Sequence, residues 1–292
     1  KRRLIYICQI FSSFGIKKMK NDAVIIKKPT GLKGVSILKG FHIQHEFEKH
    51  IHALYCIGLI TSGKRLFTIQ NTEYLLQRND MYVCNPDDVH TCSSVDGKDN
   101  SYLVLCIAPE LIQTVHASKD EPLHKITFTN VFPKESRIHI EFRKLCKLLE
   151  SDTLILKKEE RIYGFLEKLC CEFQDTGKKQ KPEIDKTKVR ILEIKDFIQN
   201  HCTSDFLLSD ISSMFHQSPF YINRIFKKEI GISLHCYQIQ MRIEKSRKLL
   251  AEGLSISDAA VSSGFTDQSH FHRFFKKYVG VTPGKYAAYN KV

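Results

Sequence analysis

The sequence predicts an α+β fold: a small N-terminal β-barrel with covering helices, then an all-α domain carrying two helix-turn-helix motifs. Three observations predict it. Residues 34–132 read as short strands rich in β-branched and aromatic residues, separated by turn signals. From residue 135 the apolar period lengthens to that of helices. Near the C-terminus, Gly264 to Lys277 repeats the pattern of Gln217 to Lys228, with Arg273 following Arg224 by 49 residues.

Composition sets the frame. At 292 residues, one large or two ordinary domains are expected. Apolar content of 42% and charged content of 26% suit a soluble globular protein with a core. The formal net charge of +13 invites a polyanionic partner, but its distribution is uneven. Residues 1–33 hold nine Lys/Arg against one Asp, residues 34–173 hold 17 basic against 19 acidic, and residues 183–292 hold 16 against 11. Charge alone is therefore weaker evidence for nucleic acid than the paired helices.

Residues 1–33 are expected to form a basic, disordered N-terminal extension. Lys1-Arg2-Arg3 and the apolar run Leu4 to Ile16 faintly resemble a signal peptide, but Lys17-Lys18-Met19-Lys20 follows where a small-residue cleavage site would stand. Met19 is a candidate natural start, which leaves open whether residues 1–18 belong to the native protein. No run reaches the ~20 apolar residues of a membrane span. Ten cysteines are scattered without a Cys-x-x-Cys pair or zinc-ligand spacing. They read as buried, reduced thiols of a cytoplasmic protein, the alternative being a redox or zinc sensor.

Residues 34–174 form the next domain. Leu54 to Ile60, Arg65 to Ile69, Met81 to Cys84 and Tyr102 to Ile107 are its clearest strands; Ser62-Gly63, Arg78-Asn79-Asp80, Asn85-Pro86-Asp87-Asp88 and Asp96-Gly97 are turns. Ile138, Phe142, Leu145 and Leu149 make one helical stripe, and Ile162, Leu166, Leu169 and Phe173 another. Both stripes can cover the barrel; the second can also pair with its copy, giving a homodimer through 157–174. Residues 175–184, polar and broken by Gly177 and Pro182, mark a linker.

Residues 185–292 are helical. Ser255-Ile256-Ser257-Asp258 fits a capping box. Gly231, Gly264 and Gly280 stand where helices should stop, and Thr282-Pro283 should start a last one. Unit one is Leu208 to Phe215, a turn at His216-Gln217, then Ser218 to Lys228. Unit two is Ile256 to Ser263, a turn at Gly264-Phe265, then Asp267 to Lys277. Inward residues of the second helices are Ile222, Ile225 and Phe226, and Phe271, Phe274 and Phe275. Outward stand Phe220, Asn223 and Arg224, and Gln268, Ser269, His272 and Arg273. Arg suits guanine, and Asn or Gln suits adenine, through paired hydrogen bonds. Lys227, Lys228, Lys276 and Lys277 would hold phosphates. A connecting helix from Leu234 to Leu250, about 25 Å long at 1.5 Å per residue, could set the probes one duplex turn, ~34 Å, apart.

This region resembles the DNA-binding domain of the AraC/XylS family of bacterial transcription regulators. The likeness rests on Arg224-x-Phe226-Lys227-Lys228-x-x-Gly231-x-Ser233, Arg242-Ile243, Leu249-Leu250, Ile256-x-x-Ala259-Ala260, Gly264-Phe265, Phe271-x-Arg273-x-Phe275-Lys276-Lys277 and Gly280-Val281-Thr282-Pro283-x-x-Tyr286. Departures are Ser246 and Ser212 where Ala is usual, and Pro219 early in a recognition helix, where the first turn tolerates it. The resemblance implies a seven-helix domain on promoter DNA, contact with RNA polymerase, activation as the commoner output, and a cytoplasmic, nucleoid-associated protein.

Upstream, His50-x-His52, Ser62-Gly63, Asn79-Asp80-Met81 and Asn85-Pro86-Asp87-Asp88-Val89-His90 resemble the cupin-type sensor barrel of many such regulators, implying a cupin-like effector-binding and dimerisation domain. His50, His52, Tyr55 and His90 are the candidate effector-pocket residues; the imidazoles either line a small-molecule pocket or are hydrogen-bonded within the barrel. Three imidazoles can bind zinc or iron, but Ala53-Leu54-Tyr55 stands where metal-binding cupins place a Glu, and Pro86 to His90 is one residue short of their spacing. No cofactor is expected. Without a nucleophile–base set, a Gly-x-Ser-x-Gly, a phosphate loop or a His-Glu-x-x-His, no enzyme is expected either.

Overall fold

The computed structural model describes residues 23–44, 46–69, 72–116, 126–133, 136–175 and 186–290. Cys8, Met19 and nearly all of the expected linker lie outside the described residues.

Among the described residues, nine antiparallel strands make the barrel. They are β1 (Ala23–Lys27), β2 (Val35–Ile43), β3 (Phe47–His50), β4 (Tyr55–Ser62), β5 (Lys64–Ile69), β6 (Thr72–Gln77), β7 (Met81–Cys84), β8 (His90–Ser94) and β9 (Asn100–Ile107). One sheet runs β1-β2-β9-β4-β7 and the other β3-β8-β5-β6. Ala23–Lys27, expected within a disordered extension, instead pairs with β2, Ala23 opposite Phe41 and Lys27 opposite Ile37. Val24-Ile25-Ile26 supplies the β-branched run that this edge needs; the surrounding lysines hid it.

Strand alternation sends each face to its own core. Tyr55, Ile57 and Leu59 of β4 join a cluster under three helices, α1 (Pro109–His116), α2 (Ile138–Leu149) and α3 (Ile155–Phe173). Cys56 and Ile60 face the barrel interior with Phe67, Tyr82 and Tyr102. The stripe Ile162, Leu166, Leu169 and Phe173 is buried in the first cluster, at most 7% exposed. The stripe thus covers the barrel, the first of its two expected readings.

Seven helices follow among the described residues: α4 (Lys186–His201), α5 (Leu208–Met214), α6 (Pro219–Ile230), α7 (Leu234–Ala251), α8 (Ile256–Ser262), α9 (Gln268–Val279) and α10 (Pro283–Asn290). The two units take parallel solutions to the same turn. Ser218 caps α6, its Oγ accepting from Tyr221 N at 3.2 Å, with Pro219 in the first turn. Asp267 caps α9 by accepting from Ser269 N at 2.9 Å and His270 N at 3.1 Å. Gly231 and Gly280, at φ 84° and 81°, end these helices as left-handed caps. Half of the expected capping box forms: Ser255 Oγ accepts from Asp258 N at 3.1 Å, while its hydroxyl donates to the Asp258 carboxylate at 2.6 Å.

Helix α7 holds the units together with polar side chains. Arg242 donates to Cys202 O at 2.6 Å and to Ser204 O at 3.1 Å, and Gln238 Nε2 donates to Ser204 O at 3.0 Å. The loop so gripped presses on the second turn: a Cβ on Gly264, at φ 86°, would lie 2.6 Å from Thr203 O. Gly264→Ala should therefore lower the unfolding free energy by about 2 kcal/mol or more, read as a shifted urea midpoint with circular dichroism. The matching control is Ser262→Ala on the exposed side of α8, which should stay within about 0.5 kcal/mol of wild type.

Candidate nucleic-acid interface and effector cavity

The N-terminal halves of α6 and α9 are open. Phe220, Asn223, Arg224, Gln268, Ser269 and Arg273 are exposed, and Lys227, Lys228 and Lys276 with them. Inside, Ile222, Ile225 and Phe226 of α6 and Phe271 and Phe275 of α9 are buried. Phe274, expected inward, is only partly covered: it stacks on Tyr278 at 6.0 Å, with the Arg273 guanidinium carbon 5.3 Å from its ring centroid. In the other unit Arg224 lies 5.9 Å from the Phe220 ring. These aromatic contacts prop each arginine at the surface. His272 is partly covered.

The C-terminal ends of the same helices lie against the barrel. Lys277 Nζ is 2.5 Å from Glu48 Oε2 on β3. The cap at Gly280 sits by Phe47 and Val24, and the cap at Gly231 by Val89. Lys277 is therefore tied to the barrel here, unlike Lys276. Helix α7 adds a second join: Ile51 N donates to Gln240 Oε1 at 2.8 Å, and Gln240 Nε2 donates to Lys49 O at 3.4 Å. Ile26 of β1 completes the apolar core of the second unit with Ile239, Ile243 and Phe275. Lys195 of α4 reaches Asp87 at 3.3 Å.

Between these surfaces lies a half-open cavity of about 100 Å³. Its wall includes His50, His52, His90, Arg65, Tyr82, Cys92 and Tyr102 from the barrel, and Arg247, Tyr278 and Val279 from α7 and α9. Three of the four residues expected to line a pocket are thus brought together. One ring nitrogen from each of His50, His52 and His90 lies within 4.8 Å of the others. Tyr55 lies elsewhere: its hydroxyl donates to Ile126 O at 2.5 Å and its ring meets Phe128 edge-on at 5.6 Å, beneath the covering helices. Parity explains it, since Leu54 and Cys56 share the cavity wall and Tyr55 must face away.

The imidazoles are held in a defined form. Backbone carbonyls only accept, so Nδ1–H of His50 donates to Glu48 O at 2.7 Å and Nδ1–H of His90 donates to Asp88 O at 2.9 Å. In the neutral ring this leaves Nε2 as an acceptor. Burial pushes His50 down to about 3, with neighbouring His90 adding to the shift. Burial likewise pushes His90 down to about 4, and His52 falls well below its usual value. Three neutral imidazoles with this carbonyl support could hold a divalent ion; among the described residues no carboxylate joins the cluster.

Arg65, Arg247 and Glu48 escape a reading of the sequence. Arg65 carries a signal: it shares the inward parity of Phe67 and Ile69 on β5. Arg247 and Glu48 carry none, because their roles arise where two domains meet.

The depressed imidazoles set a pH dependence. An unfolded chain takes up these protons near pH 6.5, whereas the folded one resists until about pH 4 at His90 and about 3 at His50. The unfolded state then binds more protons, so stability falls as pH drops below 6.5 and is flat in these groups above it. Urea unfolding between pH 7 and 5 should lose roughly 1 kcal/mol per pH unit for each such imidazole below pH 6.5, and His90→Gln should remove one imidazole's share of that slope.

Comparison with known proteins fits this geometry. Residues 34–166 match the model of the AraC-like ligand binding domain, and residues 211–289 that of a helix-turn-helix domain. The uncharacterized HTH-type transcriptional regulator YbfI of Bacillus subtilis is 32% identical over 238 residues, 78% of this chain and 82% of that protein. Transcriptional activator NphR of a Rhodococcus species is 36% identical over 104 residues, 35% of this chain and 29% of its own. The crystal structure of an apo variant of ToxT from Vibrio cholerae shares the fold, with a TM-score of 0.57 at 16% identity over 89% of this chain and 99% of that one. A ligand-binding barrel, a paired helix-turn-helix domain and a relative matched over most of its length place the chain in one group: it belongs to the AraC family of transcriptional regulators.

Proposed function

We propose that this regulator is an activator that reads promoter DNA with α6 and α9, contacts RNA polymerase, and answers to a small molecule held in the barrel. The observation that carries the reading is the division of the two recognition helices. Their N-terminal halves are bare and bear Asn223, Arg224, Gln268 and Arg273, while their last turns rest on the effector domain. Base edges are read by the N-terminal residues of a recognition helix, so the reading ends and the regulated ends are opposite ends of the same rods. Activation follows the resemblance to the activator NphR. The protein works in the cytoplasm on the nucleoid and catalyses no reaction.

Helix-by-helix substitution tests the reading. In gel-shift titrations on a selected duplex, Arg224→Ala and Arg273→Ala should each weaken binding about 5- to 150-fold and relax preference at the base they read. Lys276→Ala should weaken binding evenly across sequences and lower the slope of log affinity against log salt by about one. Equal loss on all sequences for the arginine variants would refute base reading. Run-off transcription from that duplex should rise with added protein; a fall would make it a repressor.

Glu48 tests the link between domains. It competes with phosphate for Lys277. Glu48→Gln should tighten DNA binding by up to about fivefold, the scale of one exposed ion pair, and steepen its salt dependence. No change in either quantity would show that the pair does not bear on DNA.

A further inference from the structure

The most unusual group in the molecule is Arg65. Its residue is 3% exposed, and its guanidinium lies inside the barrel. Buried charges ordinarily meet an opposite charge. Arg65 does not: among the described residues it donates from Nη1 to Asn100 Oδ1 at 2.9 Å, its side chain also bonds the Cys92 thiol, which burial keeps neutral, and its guanidinium carbon lies 4.7 Å from the Tyr102 ring and 5.4 Å from the Phe47 ring. Its Nε is buried and has no partner. Arg247, the other guanidinium on the cavity wall, already has its carboxylate, Glu244 at 2.6 Å. One positive charge in the cavity is thus uncompensated.

The same cavity holds the opposite need. His50 and His90 spend their Nδ1–H groups on backbone carbonyls, and their ring centroids stand 4.2 Å apart. Their remaining nitrogens are acceptors seeking a donor. Phe47 lies between the two poles, 5.4 Å from the Arg65 carbon and 6.3 Å from the His50 ring centroid. Leu38, Tyr82 and Val104 supply apolar wall, and the volume of about 100 Å³ suits a small occupant.

We propose that the barrel binds a small hydroxylated organic acid, its carboxylate on Arg65 and its hydroxyl donating to the His50–His90 pair, with a short apolar chain between them. The carboxylate supplies the missing countercharge in a charge-assisted bond. The hydroxyl meets the imidazole acceptors. Tyr278 and Val279 of α9 share the wall, so occupancy acts on the helix that carries Gln268 and Arg273. The proposal rests on the effector reading above and narrows it to one chemical class.

Three probes of matched length test it by calorimetry on the full chain: 4-hydroxybutanoate, butanoate, which lacks the hydroxyl, and butane-1,4-diol, which lacks the carboxylate. The first should bind most tightly, the second about tenfold more weakly and the third at least about thirtyfold more weakly, in line with neutral and charged hydrogen bonds. Arg65→Met should abolish the preference for the acid yet leave the empty protein as stable or more stable, since an unpaired buried charge is removed. Arg65→Lys keeps the charge without the fork and should retain part of the preference. Binding of the diol as tightly as the hydroxy acid, or an acid preference that survives in Arg65→Met, would overturn the proposal. So would a stoichiometric metal ion in purified protein that His90→Gln removes, because the imidazole lone pairs would then be occupied. Gel shifts on the same samples separate the two readings. Intact DNA binding without acid binding sinks only the ligand class, and lost DNA binding with intact acid binding sinks the regulator reading.

Discussion

Helix α7 buries polar side chains that bond chiefly to the main chain of other elements, and the arrangement of the molecule depends on that constraint. Gln238 and Arg242 bond the carbonyls of Cys202 and Ser204, which fixes the loop before unit one and, through Thr203, the turn of unit two. Between them, on the other side of the helix, Gln240 bonds the backbone at Lys49 and Ile51, which fixes the barrel. Arg247 then reaches the cavity wall. A buried donor without an acceptor costs about 1–3 kcal/mol, so the helix cannot shift by a residue without losing several bonds together. Two DNA-reading rods and a sensor are thereby referred to one ruler.

Electrostatics give that ruler a direction. The barrel contributes Glu48 and Asp87 to the junction, and the helical domain contributes Lys277 and Lys195. These bonds use cations that a duplex would also attract. Charge at the junction is shared between an internal partner and an external one, and whichever domain arrangement frees Lys277 gains phosphate affinity.

Much of this is legible in the sequence, for reasons that differ by element. The caps Ser218, Asp267, Gly231 and Gly280 act within a single turn of chain, so local residue types report them. The double unit shows because two copies carry the same order of Arg, Phe and Lys. The stripe of α3 shows its period but not its partner, since a buried face looks alike whether sheet or subunit covers it. β1 is hidden by its lysines. The expectation for Tyr55 fails on alternation itself: His50, His52, Leu54 and Cys56 share the cavity wall, so Tyr55 faces the other way. The cavity is half visible: its histidines stand out as a His-x-His, while Arg65 reads as one more surface cation on a strand that also carries Lys64 and Thr68. Its closure by Arg247, Tyr278 and Val279 joins residues about 200 positions apart, which no local pattern encodes.

The turn of unit one uses His216 in a left-handed backbone, at φ 51°, where unit two uses Gly264 at φ 86°. A side chain there is strained by about 1 kcal/mol relative to glycine. The halves are therefore thermodynamic unequals, and native-state hydrogen exchange would open first around α5 and α6. A promoter would meet one stiff reader and one pliant one, and tolerance for sequence variation would concentrate under the pliant half.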